Sequence, residues 1–477
     1  MLKKRIGIPA DQDMVQWAPN LIGRTGPIYR ELAAAIAAAI RDGRLLPGDR
    51  LPTQRVLAQK IGVDLATVTR GYAEAHRQGL VSATVGRGTF VRADAPLLRQ
   101  LSRGHPVIDM TMNLPPLPAE PALHGMLQDG LARVLRRQDI AALMTYHWDT
   151  GSAEDREAGL SWLLPTMGRI DPQRLLLCPG AQSGMISVIT SLARAGDMIA
   201  TEQMAYPGLR AAAAQLGITL LGVGMDDEGM LPEELDRICH ESRPRLIFCT
   251  PTIQNPTTAT MSIARRQAIA DIARLHELPI LEDDAYGLFP TEPLPALAQF
   301  APELVFHLAT FAKTLTPGLR LAYLVVPTLS HVDRLTAALR ATAQMGSALM
   351  ASLVTGWIRD GDAQRLFKAI RQETAARQEM ADTILAGLDG ARHPHGLHLW
   401  LRMPPHWHSS DFTAYARRHG LALVAEDSFA VDGTTHAGEH VRIALGAAAD
   451  RGALAQALMA IEAALRRPVP QAYTTVI

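Results

Sequence analysis

Over the first ninety positions the apolar residues recur first with a helical period and then with period two. Ile28, Leu32, Ile36 and Ile40 form an i,i+4 stripe behind Pro27, and Gly43 stands where such a helix stops. A Leu46-Pro47-Gly48-Asp49 turn follows, after which Thr53 is placed to cap a second helix carrying Val56, Leu57 and Ile61, closed by Gly62. Asp64 is placed to cap a third helix, with Val68, Tyr72 and Ala75 on one face and Gly79 at its end. The alternation in Leu80–Val85, the Gly86-Arg87-Gly88 turn and Thr89-Phe90-Val91 then predict a β-hairpin. Residues 92–107 show neither period and contain Pro96, Gly104 and Pro106, as a linker would.

Three short helices and a hairpin within about seventy residues describe a winged helix-turn-helix, a domain that places its third helix in the major groove of DNA. Thr67, Thr69 and Arg70 on that helix offer donors to phosphates or base edges. Arg55 can reach the backbone, and Arg87 at the wing tip suits the minor groove. From about residue 108 apolar runs alternate with helical stretches, which predicts an α/β body built on a mainly parallel sheet with helices on both faces. The candidate strands are Leu175–Cys178, Met198–Thr201, Leu246–Thr250, Ile280–Glu282, Leu304–Leu308 and Leu321–Val326.

Composition adds a polarity to this division. Residues 1–92 hold 14 Lys and Arg against 7 Asp and Glu, while the remainder holds 33 against 40. A basic head on an acidic body fits a head that meets a polyanion. Three cysteines in unpatterned positions predict neither disulfides nor a zinc site, and no metal site is expected. No apolar h-region follows the basic N-terminus and no run reaches the length of a membrane helix, so the expectation is a cytoplasmic protein without a membrane partner.

Lysine usage singles out one stretch. The chain has five lysines against 42 arginines, and beyond residue 60 only Lys313 and Lys368 remain. Lys313 lies in Thr310-Phe311-Ala312-Lys313-Thr314, between two apolar runs, where a partly desolvated amine can form a Schiff base with an aldehyde and arginine cannot. In parallel sheets ligands collect at the carboxyl ends of strands, so the polar residues at those ends belong together. They are Pro179-Gly180-Ala181-Gln182, suited to an anion at a helix N-terminus, and Tyr206, an aromatic that could cover a flat ring. Asn255, Asp283 and Tyr286 follow, and a carboxylate such as Asp283 could hold a pyridinium nitrogen protonated. Each of these alone reads equally well as a turn, a cap or packing. At successive strand ends, with compatible roles, they outweigh those readings.

Two family resemblances rest on these residues. Residues 27–91 resemble a GntR-type DNA-binding domain, from Pro27-Ile28-Tyr29 through Leu51-Pro52-Thr53-Gln54-Arg55 to Val85–Val91, with Leu65 where members often carry arginine. Residues 108–465 resemble the fold-type I aminotransferases, enzymes of pyridoxal 5′-phosphate. That resemblance implies an internal aldimine at Lys313, with Asp283 on the pyridine nitrogen and Tyr206 stacked on the ring. It places Asn255 and Tyr286 on the 3-oxygen, and gives the phosphate to the amides at Ala181 and Gln182 with Thr310 and Arg320. It also implies that Tyr146 reaches the phosphate of a second subunit, and that Arg442 clamps an α-carboxylate. The departure is Asn113-Leu114-Pro115-Pro116, where relatives often have a glycine.

The implied organisation is an N-terminal arm (1–26), a winged head (27–91), a linker (92–107), a cofactor-binding body (108–465, its small C-terminal part from about 375) and a tail (466–477). Head and body together resemble the MocR-type regulators. The resemblance implies a homodimer that binds double-stranded DNA and senses an amino compound or vitamin B6 by aldimine exchange at Lys313. The alternative is an aminotransferase acting between an amino acid and a 2-oxo acid, for which no required residue is visibly missing.

Overall fold

The computed structural model describes residues 17–19, 26–41, 45, 49–78, 80–84, 88–91, 108–147, 150–431 and 438–466. The expectations placed on Gly43, Gly79, Arg87, residues 92–107 and most of the arm and tail lie outside the described residues. Two compact units emerge, residues 1–107 and 108–477.

The head contains α1 (Ile28–Arg41), α2 (Gln54–Ile61), α3 (Leu65–Arg77), β1 (Val81–Thr84) and β2 (Gly88–Val91). Thr53 caps α2, and Gly62 ends it in the left-handed conformation that only glycine adopts cheaply. Asp64 caps α3 by accepting from the Thr67 amide at 2.8 Å. Of the α1 stripe, Leu32 and Ile36 are fully buried, whereas Ile28 is exposed. They pack with Leu57, Val68, Tyr72, Ala75 and the hairpin's Val81 and Val91. Trp17, a residue of the N-terminal arm, completes this core. The hairpin is antiparallel, pairing Val81 with Val91 and Thr84 with Gly88.

The body is built on a seven-stranded sheet in the spatial order Leu175–Cys178, Ala322–Val325, Val305–Thr310, Ile280–Asp283, Leu246–Cys249, Met198–Glu202 and Thr219–Val223. Six of the seven strands are parallel, and Ala322–Val325 runs against both its neighbours. The six expected strands are present, and Thr219–Val223 is a seventh, at the edge. Successive residues serve opposite faces of the sheet. Leu175, Ile280 and Val305 join one apolar layer, while Leu176, Leu281 and Phe306 join the other. All three cysteines are buried and unbridged.

A smaller sheet orders Gly390–Arg392, His398–Arg402, His440–Ala444 and Val424–Ala425, over a third core that contains Leu399, Phe412, Val441, Leu454 and Ile461. The first strand of the body, Ile108–Asp109, pairs in parallel with Leu421–Ala422, and Met110 is buried in that same core. The chain therefore begins the body in its C-terminal layer. From there residues 111–114 run to the carboxyl ends of the large sheet. Among the described residues no helix is long and apolar enough to cross a membrane.

Candidate functional site

One cavity opens at the carboxyl ends of the large sheet. Gly180, Ala181, Gln182, Tyr206, Asn255, Asp283, Tyr286, Thr310, Lys313 and Arg320 line it together. All the expected cofactor residues of the body except Tyr146 thus meet in one place. Tyr146 is 70% exposed and lies outside this lining. Arg442 is one hydrogen bond behind the wall, donating from Nη1 to Asn255 Oδ1 at 2.8 Å. Its Nη2 donates to the main-chain carbonyl of Thr111. Its Nε is buried without a partner.

At one end of the cavity, Gly180 precedes the helix Ala181–Leu192 with φ +90° and no side-chain cap. The first amides of a helix have no intrahelical acceptor, so they face the opening as donors. Arg320, itself left-handed at φ 49°, lays its guanidinium across Gly180. A Cβ there would lie 3.0 Å from Arg320 Nη2, so glycine is what allows the approach. Thr310 accepts from the Ala312 amide at 3.1 Å and keeps its hydroxyl proton to donate.

At the other end is Asp283, the last residue of its strand. Burial, and then the neighbouring Asp284, push its carboxyl up to about 7, against the opposing charges of Lys313 and His307. Behind it, Glu282 and His307 are fully enclosed, Nδ1 to Oε2 at 2.9 Å, and Arg266 Nη1 lies 4.0 Å from Glu282. Burial alone would drive His307 down, but Glu282 and Asp284 hold its imidazole above the ordinary range. Glu282 also accepts from the Leu297 and Ala298 amides at 2.8 and 3.2 Å.

Lys313 lies between these ends. Burial and the charge of Arg442 push its amine down to about 8, with Asp283 opposing. Nζ donates to the main-chain carbonyl of Asn113 at 2.6 Å. Sequence reasoning marked Asn113 only as a departure, yet it is the hub of this region. Its Nδ2 donates to Tyr286 Oη at 2.8 Å and lies 2.9 Å from His398 Nδ1. His398 Nε2 in turn lies 3.1 Å from the Pro256 carbonyl, so Nε2 carries the proton and Nδ1 accepts. Burial and then Arg442 push His398 down to about 3, which keeps it neutral in that role. Met112 and Leu114, on either side of Asn113, line the cavity. His398 and His307 also went unnoticed; the run Glu282-Asp283-Asp284 followed by a strand histidine was the one available signal.

In the head, Arg55 and Arg70 are exposed on α2 and α3. Thr67 and Thr69, expected as donors to DNA, direct their hydroxyl protons to acceptors within the head. Thr67 Oγ1 donates to Asp64 Oδ2 at 2.6 Å, and Thr69 Oγ1 lies within donating distance of Leu65 O and Gln54 Oε1, at 2.8 and 2.9 Å.

Comparison with known proteins gives two family matches, aminotransferase class I and II over residues 120–461 and bacterial regulatory proteins, gntR family, over residues 28–91. The chain is 30% identical to YdeF, an uncharacterized HTH-type transcriptional regulator of Bacillus subtilis, over 449 residues, covering 93% of this chain and 96% of that one. It is 27% identical over 380 residues to the probable rhizopine catabolism regulatory protein MocR of Rhizobium meliloti, covering 74% and 76%. Among solved structures, an archaeal alanine:glyoxylate aminotransferase superposes with a TM-score of 0.69 at 20% identity, covering 76% of this chain and 92% of that one. That likeness establishes the fold of the body.

Proposed function

The chain belongs to the class I and II aminotransferase family, joined to a gntR-family head as in the MocR-type regulators, and on that premise we propose that its body binds pyridoxal 5′-phosphate at Lys313 and senses an amino compound or vitamin B6. The observation that carries this reading is the enclosed amine of Lys313, set between an anion cradle and a buried carboxyl.

The donor set fits the cofactor at both ends. The helix-end amides at Ala181 and Gln182, the Arg320 guanidinium over Gly180 and the Thr310 hydroxyl suit its phosphate. Asp283 suits its ring nitrogen: a carboxyl pushed up by burial returns to the ionised form when a cation is placed against it. Tyr206 suits its ring face, and Asn255 with Tyr286 its phenolic oxygen. When bound, the cofactor supplies an aldehyde that takes an amine covalently and a ring that withdraws electrons. Lys313 would hold that aldehyde, and a second amine entering the cavity would compete with it. Arg442 has a buried, unpartnered Nε beside an Nη2 engaged only with a carbonyl, so a carboxylate on the incoming compound can accept both. Exposed Tyr146 is available to the partner in a homodimer.

The head contacts double-stranded DNA through α3, with Arg55 and Arg70 supplying charge, and the cytoplasm is where that contact is made. An amino compound changes DNA affinity only by its preference for one of two states of the protein. Borohydride reduction of the cofactor-loaded chain followed by mass spectrometry places the adduct on Lys313, and Lys313→Ala abolishes it; an adduct that survives the change refutes the assignment. Salt-sensitive binding to a specific DNA site that shifts with an added amino compound supports regulation. Turnover of an amino acid with a 2-oxo acid would establish the aminotransferase alternative instead.

A further inference from the structure

We infer that the head reads its DNA site chiefly through thymine methyl groups, with Leu65 as the residue that sets this specificity. The inference rests on the DNA-binding role of the head and is independent of the cofactor. On α3, Val68, Gly71, Tyr72 and Ala75 are buried against the head, and the opposite side exposes Leu65, Ala66, Thr69, Arg70, Ala73, His76 and Arg77. Leu65 is the first residue of the helix and is 43% exposed, a large apolar side chain left in solvent where α3 begins. A recognition helix presents its N-terminal residues to base edges in the major groove.

The polar groups near that end are engaged within the protein. Asp64 accepts both the amide and the hydroxyl of Thr67. Thr69 Oγ1 is paired with Leu65 O and Gln54 Oε1. Arg77, further along, is held by Glu74. Arg70 is therefore the cation nearest the front of the exposed side, with His76 and Arg77 at its far end. Apolar groups in the major groove have one favourable counterpart, the C5-methyl of thymine. Set against a G·C edge, Leu65 and Ala66 would strip water from donors and acceptors without replacing the lost hydrogen bonds. The front of α3 thus selects A·T pairs that present thymine methyls, and it disfavours G·C at the same positions.

The test uses the full-length chain. A binding site is enriched from randomised duplex DNA, and its affinity is measured by fluorescence anisotropy. The site is then resynthesised with uracil for thymine, one position at a time, which removes only the methyl. At the thymines facing Leu65 and Ala66, binding should weaken about fourfold per methyl. Leu65→Ala should weaken binding to the thymine site and lose most of the uracil penalty, whereas Arg70→Ala should weaken both sites and keep it. An enriched site that binds equally well with uracil throughout overturns the inference and leaves the regulator reading standing. A Leu65→Ala chain that retains the full uracil penalty overturns it too. Failure to enrich any site sinks both.

Discussion

Removing one charge at a time from around Lys313 gives two shifts of opposite sign. At pH 7 an amine with a pKa of about 8 is neutral in about one molecule in ten, against about three in ten thousand at the ordinary 10.5, roughly a 300-fold gain in nucleophile. The causes are burial and the positive charge of Arg442, opposed by the carboxylate of Asp283. Arg442→Gln should therefore raise the pKa of Lys313, and Asp283→Asn should lower it further. Reductive methylation of the cofactor-free chain with formaldehyde and cyanoborohydride, followed peptide by peptide from pH 6 to 11, reads the neutral fraction directly. Five lysines make the assignment simple. The Lys313 profile should have its midpoint near pH 8 and move in opposite directions in the two variants. A midpoint near 10.5, or shifts of the same sign, would refute the electrostatic reasoning.

Asp283 also links stability to pH. Its carboxyl is raised from 3.8 to about 7, so between those values the folded cofactor-free chain holds a proton that the unfolded chain has lost, and stability falls as pH rises through that window. Asp283→Asn removes this cost and should stabilise the chain at pH 8 but not at pH 4, by roughly 2–4 kcal/mol, the lower figure allowing for water in the cavity; denaturant titrations at the two pH values check it. Gly180→Ala places a Cβ 3.0 Å from Arg320 Nη2 at φ +90°, so it should weaken pyridoxal 5′-phosphate binding, measured by absorbance titration, about tenfold or more. Asn113→Ala leaves the buried Tyr286 hydroxyl and His398 Nδ1 without their donor and should cost about 2 kcal/mol of stability in a denaturant titration. It should leave the pH midpoint of Lys313 unchanged, because that lysine holds only the main chain of residue 113.

The parts of the fold legible in the sequence were those written as local pattern. The buried strands announced themselves as apolar runs, and the caps Thr53, Gly62 and Asp64 stand where their chemistry demands. Strand direction was not legible, since the run Ala322–Val325 reads the same either way and only its connection makes it antiparallel. Thr219–Val223 escaped because an edge strand is half-covered and this one includes Gly222. In the cavity, side chains at strand ends could be found because strand ends are local. Asn113 could not, because its partners lie 173 and 285 residues away. Leu65 shows a different limit: its exposure depends on the packing of α3 against the head, which the local pattern alone does not give.

The carbonyls of Thr111 and Asn113 are the acceptors for Arg442 and Lys313. Both are peptide oxygens, so no exchange of side chain at either position deletes them, and an alignment would not register them. What they answer to is the path of the chain. A displacement of residues 111–113 would move both acceptors together. Three residues before Thr111 the body begins, continuous in sequence with the linker and the head. The strand that leads into those two oxygens, Ile108–Asp109, is itself paired to Leu421–Ala422, so the C-terminal layer and the cavity share one short run of backbone.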